Sequence, residues 1–185
     1  MKSTSVLFFL SILIFSSFGQ QMPGLDRSQL DIAYFPDNFA HDRKPGQEVI
    51  MRIIYSRPHM NGRKIFGDLV PFGKVWRTGA NESTEIKIYK DIAIDGKKLE
   101  SGTYSLFTIP DKESWQIIIN KDLDYWGSFS YNASHDVMRI QASSKTMDQK
   151  IETFTIHCEP TGSDSGNLQM AWDDTLIEIP FTYAP

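Results

Sequence analysis

Short runs in which apolar and polar residues alternate make up most of the chain. In the segment SWQIIIN the side chains of Trp115, Ile117 and Ile119 fall on alternate positions, as do Ile86 and Ile88 in TEIKI. Because successive side chains of a strand point to opposite faces, this period of two predicts strands with a buried face. Comparable runs are QEVIMRIIYS, GTYSLFTI, DVMRIQA and ETFTIHC, which begin at residues 47, 102, 136 and 152.

Turn signals separate these runs. Asp95-Gly96 predicts a tight hairpin, because both residue types tolerate the positive φ of a type I′ turn. Asp173-Asp174 lies between LQMAW and TLIEIPF and predicts a C-terminal hairpin with a two-residue turn. The best candidate for a short helical turn is SSKTMDQK, at 143–150. Many short strands predict an all-β fold, namely one antiparallel β-sandwich domain of jelly-roll-like character over residues 30–185.

One long segment, from residue 56 to residue 84, interrupts the alternation. It ends in VWRTGANEST, which brings an aromatic ring, a cation, an amide and a carboxylate together between Trp76 and Glu82. Long irregular segments of compact domains lie at the surface and often carry function. This segment, the 56–84 loop, is therefore the predicted location of a functional site.

The amino terminus has the pattern of a secretory signal peptide. Lys2 precedes a short apolar run, and the small residues Ser17 and Gly19 stand where a signal peptidase cuts. We therefore predict a signal peptide at 1–19, a flexible lead-in at 20–29 and export of the remainder, with a retained anchor as the alternative. No later run is apolar over a membrane-spanning length, so no integral membrane segment is predicted after cleavage.

Charge and cysteine content limit the cell compartment and the classes of binding partner that are expected. The chain has 19 basic and 23 acidic side chains, a net charge of −4, which argues against nucleic acid as a partner. Cys158 is the only cysteine, so no intrachain disulfide can form. Export without disulfides favours the periplasm or the exterior of a Gram-negative bacterium. The sequence identifies no protein partner.

The 56–84 loop carries a local excess of cations on a chain that is acidic overall. Arginine can fork onto a carboxylate, phosphate or sulfate, tryptophan offers a stacking face, and an amide both donates and accepts hydrogen bonds. This composition predicts a binding module for a small polar or anionic ligand, such as a glycan. The candidate ligand-binding residues are Arg57, His59, Arg63, Trp76, Arg77, Asn81 and Glu82.

Each candidate has an expected role, and a structural role competes with it. The arginines would bind the anionic part of the ligand, Trp76 would stack on it, and Asn81 and Glu82 would orient the ligand or the arginines. Alternatively, Arg77 and Glu82 pair with each other or with backbone groups under the loop, and its glycines, Gly67, Gly73 and Gly79, serve only tight turns. The deciding observation is whether these side chains converge on a pocket.

Two other functional hypotheses stay open. The first is a hydrolase that uses Glu82, His59 or Asp136 as general acid or base. If the fold brought His59, His135 and Asp136 together, they could also hold zinc. The segment from Gly67 resembles a phosphate loop but has five residues between its glycines. Since no catalytic motif is complete, the sequence predicts no catalytic residue, no metal and no cofactor.

The other hypothesis is a structural or partner-binding envelope protein. It predicts an exposed apolar patch and no cleft lined by the 56–84 loop. Trp126, in the aromatic segment DYWGSFSY, is a further candidate for stacking on a sugar ring. The secondary candidates for the site are Trp126, His135, Asp136 and Arg139.

Several of these segments together resemble one exported bacterial family. The longest is GRKIFGDLVPFGKVWRTGANE, which begins at Gly62, and GTYSLFTIP, WQIIIN and DVMR follow it. They are similar to the family known as domain of unknown function 2911, over about residues 28–183. The resemblance implies a single exported domain, common in Bacteroidetes-like bacteria. It implies no activity.

Overall fold

The computed structural model describes residues 22–184, which fold almost entirely as antiparallel β-structure. This range has one α-helix, α1 at Phe39–Asp42, and one 3-10 helix at Ala133–His135, and neither is long and apolar enough to cross a membrane. The strands are β1 Leu30–Phe35, β2 Met51–Ser56, β3 Thr84–Ile88, β4 Ile92–Ile94, β5 Lys97–Leu99, β6 Gly102–Ile109, β7 Ser114–Asn120, β8 Asp136–Pro160 and β9 Ser165–Tyr183. The all-β prediction is confirmed. The predicted signal peptide lies outside the described residues, and the flexible lead-in stays a prediction.

The strands form one continuous sheet in the order β1-β2-β3-β6-β7-β8-β9-β4-β5. β8 is shared, because its first part pairs with β7 and its later part pairs with β9. Tyr55 on β2 reaches β8, where its hydroxyl accepts from the N–H of Ile156 at 3.0 Å and donates to the C=O of that residue at 3.3 Å. The sheet therefore folds over on itself into a sandwich-like arrangement without closing into a barrel.

Most strands occur where alternation predicted them. Asp95 and Gly96, at φ 50° and 69°, form the predicted turn between β4 and β5, with Ile94 opposite Lys97. The central strands β6 and β7 are buried on both faces, so that neighbouring residues such as Leu106 and Phe107 are both fully buried. Three polar residues of these strands, Ser105, Thr108 and Asn120, are therefore buried against protein.

Two local predictions are wrong, and both fail in the long strands β8 and β9. The predicted helical turn at 143–150 is the middle of β8, and the predicted hairpin turn at Asp173-Asp174 lies within β9. The two strands pair and bend together, with two register shifts near this point. Asp173 takes φ 55° and accepts a hydrogen bond from Lys150 at 2.6 Å. Turn-prone residues here form bulges, because pairing along both strands outweighs their local preference.

An aromatic cluster fills the core beside the 56–84 loop. Its five rings are at most 9 % exposed, and neighbouring rings lie 4.7 to 6.2 Å apart. The members are Phe66, Trp76, Trp115, Phe154 and Trp172. Two of them, Phe66 and Trp76, belong to the loop. The loop is therefore anchored in the core, which fixes the position of the polar side chains between its anchors.

Candidate functional site

Backbone hydrogen bonds fix the 56–84 loop to two strands. The N–H of Met60 donates to the C=O of Glu152 on β8 at 2.8 Å. Trp76 exchanges both backbone bonds with Thr108 on β6, at 2.7 and 2.9 Å. These isolated bridges satisfy polar backbone groups that a loop would otherwise leave to solvent. The irregular segment is thus held in a defined position against β6 and β8.

Trp76 packs in the core and forms part of the floor of the site. Its side chain belongs to a residue that is 6 % exposed, and it lies parallel to Trp172 with the ring centroids 6.0 Å apart. Its Nε1 donates to the C=O of Gly79 at 3.0 Å, and the rings of Phe66 and Phe154 meet it edge-on. Little of the ring face is left for a ligand, so Trp76 offers a floor and not an open stacking wall.

A pocket of about 370 Å³ opens above this floor. Four of the seven predicted residues line it, namely Arg63, Trp76, Arg77 and Asn81. The lining also contains Ser28, Pro58, Leu69, Val70, Pro71, Lys74, Val75, Gly79, Ala80, Ser128 and Trp172. Among these described residues three are cationic and none is acidic. We call this hollow the cationic pocket.

Arg77 is the least exposed of the three cations in the cationic pocket. Its Nε is buried and has no hydrogen-bond partner within residues 22–184. None of Arg63, Lys74 and Arg77 forms an ion pair in that range. Burial lowers the pKa of the Arg77 guanidinium, which nevertheless stays protonated at neutral pH. A part-buried cation with an unpaired donor is unfavourable alone, and an anion would offset that cost.

The loop after β7 completes the rim of the cationic pocket. Asn81 takes φ 59°, and its C=O accepts from the N–H of Gly127 at 2.9 Å. The hydroxyl of Ser128 donates to the C=O of Val75 at 3.0 Å. Trp126, which comes just before Gly127 and forms an isolated bridge with Glu82, is 62 % exposed. Two loops distant in sequence therefore share one rim.

One carboxylate lies at the edge of the cationic pocket. Asp26 accepts a hydrogen bond from the N–H of Ser28 at 2.6 Å, and Ser28 lines the pocket. This bond, and then the side chain of Asn81, lower the pKa of Asp26. Asp26 thus places a negative charge near the site.

A family model described as "Protein of unknown function (DUF2911)" matches residues 38–181, most of the chain. The chain belongs to the DUF2911 family. This confirms the resemblance found in the sequence, while bacterial origin and export stay predictions. No curated protein and no solved structure matches the chain at a significant level. The family description names no activity for this DUF2911 domain.

Two predicted site residues of the DUF2911 domain tie the loop to other strands. Arg57 pairs with Asp31 on β1 at 2.7 Å and donates to the hydroxyl of Thr155 on β8 at 2.7 Å. The ring Nδ1 of His59 lies 2.9 Å from the hydroxyl oxygen of Thr153. Both residues lie outside the lining of the cationic pocket. Their contacts hold the first part of the loop against β1 and β8.

Glu82 also lies outside the cationic pocket. It lines a separate hollow of about 270 Å³, together with Glu85 and Asp124. Arg77 and Glu82 form no ion pair, so the pairing proposed as a structural alternative does not occur. The chain between these two residues instead separates a cationic surface from an acidic one.

Two of the secondary candidates, Asp136 and Arg139, bond to each other at the start of β8. The carboxylate of Asp136 accepts from the hydroxyl of Tyr131 at 2.7 Å, from Nε of Arg139 at 2.6 Å and from Nδ2 of Asn120 at 2.8 Å. Arg139 also donates to the hydroxyl of Tyr131 at 2.6 Å. These contacts close the loop between β7 and β8, and we call them the Asp136 network.

The two loop histidines do not meet. His135 lies just before β8, and its Nδ1 is 2.6 Å from Oδ2 of Asp122. His59 forms a bridge to Thr153, which lies in the later part of β8. The joint site of His59, His135 and Asp136 is therefore not assembled, and each group has a different neighbour.

Three residues of the site region were missed as candidates. Lys74 is one of several cations of the 56–84 loop, and it belongs to no motif. Ser128 and Asp26 reach the site from other segments, and neither shows a local motif. Only Lys74 had a usable signal, namely its place in the same short stretch as Arg77.

We expect Cys158 to be inert in the native protein. The residue is 1 % exposed, and burial raises the pKa of its thiol to about 12. Since the thiolate is the reactive form, almost none is present at pH 8. A thiol reagent should leave the folded protein unmodified and modify one cysteine per chain in urea. Rapid modification without denaturant would contradict this placement.

Proposed function

We propose that this domain binds a small anionic ligand that also carries hydroxyl groups, in the cationic pocket. The observation that supports this most directly is the charge of the lining. Arg63, Lys74 and Arg77 face one hollow with no acidic side chain in its lining and no ion-pair partner among residues 22–184. On a chain of net charge −4, unneutralised cations gathered in one concave site favour an anion.

Each part of the pocket has a distinct role in this proposal. Arg77 lines the pocket and forms no ion pair among residues 22–184, so the outer nitrogens of its guanidinium supply the fork that suits a carboxylate, sulfate or phosphate. Lys74 adds a flexible point charge, and Asn81 and Ser128 supply polar groups for hydroxyls. Trp76 and Trp172 form an apolar floor beneath them. The exposed indole of Trp126, in the same loop as Ser128, provides a surface on which a sugar ring could stack.

The alternatives have less support. A hydrolase would need Glu82, His59 or Asp136 as a free acid or base in one cleft. Instead, Asp136 accepts three hydrogen bonds, and the hollow that contains Glu82 has no histidine in its described lining. A purely structural or partner-binding protein would have no cleft lined by the 56–84 loop, whereas this loop lines most of the cationic pocket.

The test is a titration of the protein with small anions. Galacturonate, citrate, sulfate and inorganic phosphate are the probes, and galactose is the uncharged match to galacturonate. Tryptophan fluorescence is a suitable signal because Trp76 and Trp172 line the pocket, and calorimetry confirms each affinity. We expect at least one anion to bind, galactose to bind much more weakly than galacturonate, and anion affinity to fall as salt is added.

Substitutions then assign binding to the pocket. Arg77→Ala should weaken anion binding about ten- to a hundredfold, since a hydrogen bond to a charged group contributes roughly 1.5 to 3 kcal/mol. Asp26→Asn should strengthen it by removing the nearby negative charge. Lys98→Ala, which removes a cation paired with Asp91 outside the pocket, is the matched control and should have no effect. Unchanged affinity in Arg77→Ala, or no binding of any probe at millimolar concentration, would overturn the proposal.

A further inference from the structure

A second hollow adjoins the cationic pocket and shares one residue with it. This hollow has a volume of about 470 Å³ and is lined by Met60, Gly62, Arg63, Lys64, Lys150, Glu152 and Asp173. Arg63 lines both hollows. The two hollows are therefore neighbours that meet at one residue, and we call the second one the outer hollow.

Arg63 is held in place by its own turn. Its Nε donates to the C=O of Met60 at 2.9 Å, and its Nη2 donates to the C=O of His59 at 2.6 Å. Asn61 and Gly62, at φ 49° and 71°, form the tight turn that makes both carbonyls reachable. The two bonds order the side chain but leave Nη1 without an acceptor in the described chain. An arginine that is ordered in advance loses less entropy when it binds an anion.

The charges of the outer hollow also leave cations unneutralised. Of its two carboxylates, Asp173 pairs with Lys150 at 2.6 Å, whereas Glu152 accepts only from the uncharged N–H of Asn61 at 2.8 Å and keeps its negative charge. Lys64 forms no ion pair within residues 22–184. Together the two hollows contain five cations, Arg63, Lys64, Lys74, Arg77 and Lys150, against these two carboxylates. The positive surface thus extends beyond the volume needed by one small anion.

We propose that the ligand is an acidic oligosaccharide that occupies both hollows, with one anionic group near Arg77 and another near Lys64. This inference rests on the proposed function, since it extends the same site. A repeating anion suits two cationic hollows joined at Arg63. Sugar units suit the polar Asn81 and Ser128, and they suit the apolar surface at the rim, where Leu69 is 43 % exposed. The net charge of the chain disfavours a nucleic acid as the polyanion.

The experiment measures how affinity depends on ligand length. Galacturonate, digalacturonate and tetragalacturonate are titrated, with the fully methyl-esterified tetramer as the uncharged match and tetraglutamate as an anionic chain without sugar. We expect the tetramer to bind at least tenfold more tightly than the monomer, since the second hollow is filled intramolecularly. The esterified tetramer and tetraglutamate should both bind at least tenfold more weakly than the acidic tetramer.

Two lysine variants separate the hollows. Lys64→Ala should weaken tetramer binding several-fold and leave monomer binding unchanged, because the monomer occupies the cationic pocket. Lys74→Ala should weaken both. If Lys64→Ala binds the tetramer like the parent protein, or if tetramer and monomer bind equally, the extended site is wrong while the proposed function stands. If tetraglutamate binds as tightly as the acidic tetramer, the sugar assignment is wrong. If no member of the series binds, the inference fails together with its use of the cationic pocket.

Discussion

Replacing Trp76 by alanine is expected to lower the free energy of unfolding by about 3 to 5 kcal/mol, the usual cost of removing a large buried aromatic side chain. The indole packs among Phe66, Trp115, Phe154 and Trp172, which anchors the 56–84 loop in the core, and its Nε1 donates to the C=O of Gly79 within the loop. The substitution therefore removes core contacts and a loop contact at once. Urea unfolding followed by circular dichroism measures the loss.

Trp126→Ala is the matched control for this substitution. It removes the same side chain from a position that is 62 % exposed, so we expect a change within about 0.5 kcal/mol. Trp76→Phe keeps a ring in the core but loses the indole N–H, and it should fall between the two. If Trp76→Ala and Trp126→Ala cost the same, Trp76 is not part of the core.

Replacing Asp136 by alanine is expected to cost about 3 kcal/mol of stability. Its side chain is 8 % exposed and accepts hydrogen bonds from Asn120, Tyr131 and Arg139. The substitution leaves those donors without their acceptor, and each buried group left unpaired costs roughly 1 to 3 kcal/mol. The exposure of Arg139 keeps the total near the lower part of the range expected for a broken buried pair.

The pKa of Tyr131 reports on the same network. Burial, and then the bond to Asp136, raise the pKa of Tyr131 to about 12. In Asp136→Ala the pKa should fall but stay above the usual value near 10, because burial is the larger cause. Carbon-13 NMR of labelled tyrosine follows the titration. Arg139→Ala is the comparison, and it should destabilise the protein less than Asp136→Ala. An unchanged Tyr131 pKa in Asp136→Ala would contradict the network.

The sequence placed most of the β-structure correctly because alternation is a local signal. The period of two around Ile86 and Ile88, and the pair Asp95-Gly96, depend on residues that are neighbours in the chain. The same kind of reasoning failed at Asp173-Asp174, where a turn-prone pair sits inside β9. There the outcome depends on β8, a partner strand whose pairing no local pattern encodes.

The candidate site was predicted in part for the same reason. Composition marked the 56–84 loop as cationic and polar, and four of its seven candidates line one pocket. The other three are also polar residues of this loop and its edge, but they face elsewhere. Arg57 pairs with Asp31, and Glu82 lines a different hollow. In an irregular segment no repeat relates one side chain to the next, so sequence spacing cannot assign their directions.

By itself, then, the sequence determined the family, the all-β class and the 56–84 loop as the segment that contains the candidate binding residues. These follow from residue types and short-range periodicity, which are written along the chain. Only the tertiary structure decided that Trp76 lies in the core and that Arg77 and Glu82 line different hollows. It also decided that Ser128 lines the cationic pocket and that Asp26 lies near it. Those outcomes depend on contacts between segments far apart in sequence, and such contacts form only when the sheet folds over on itself.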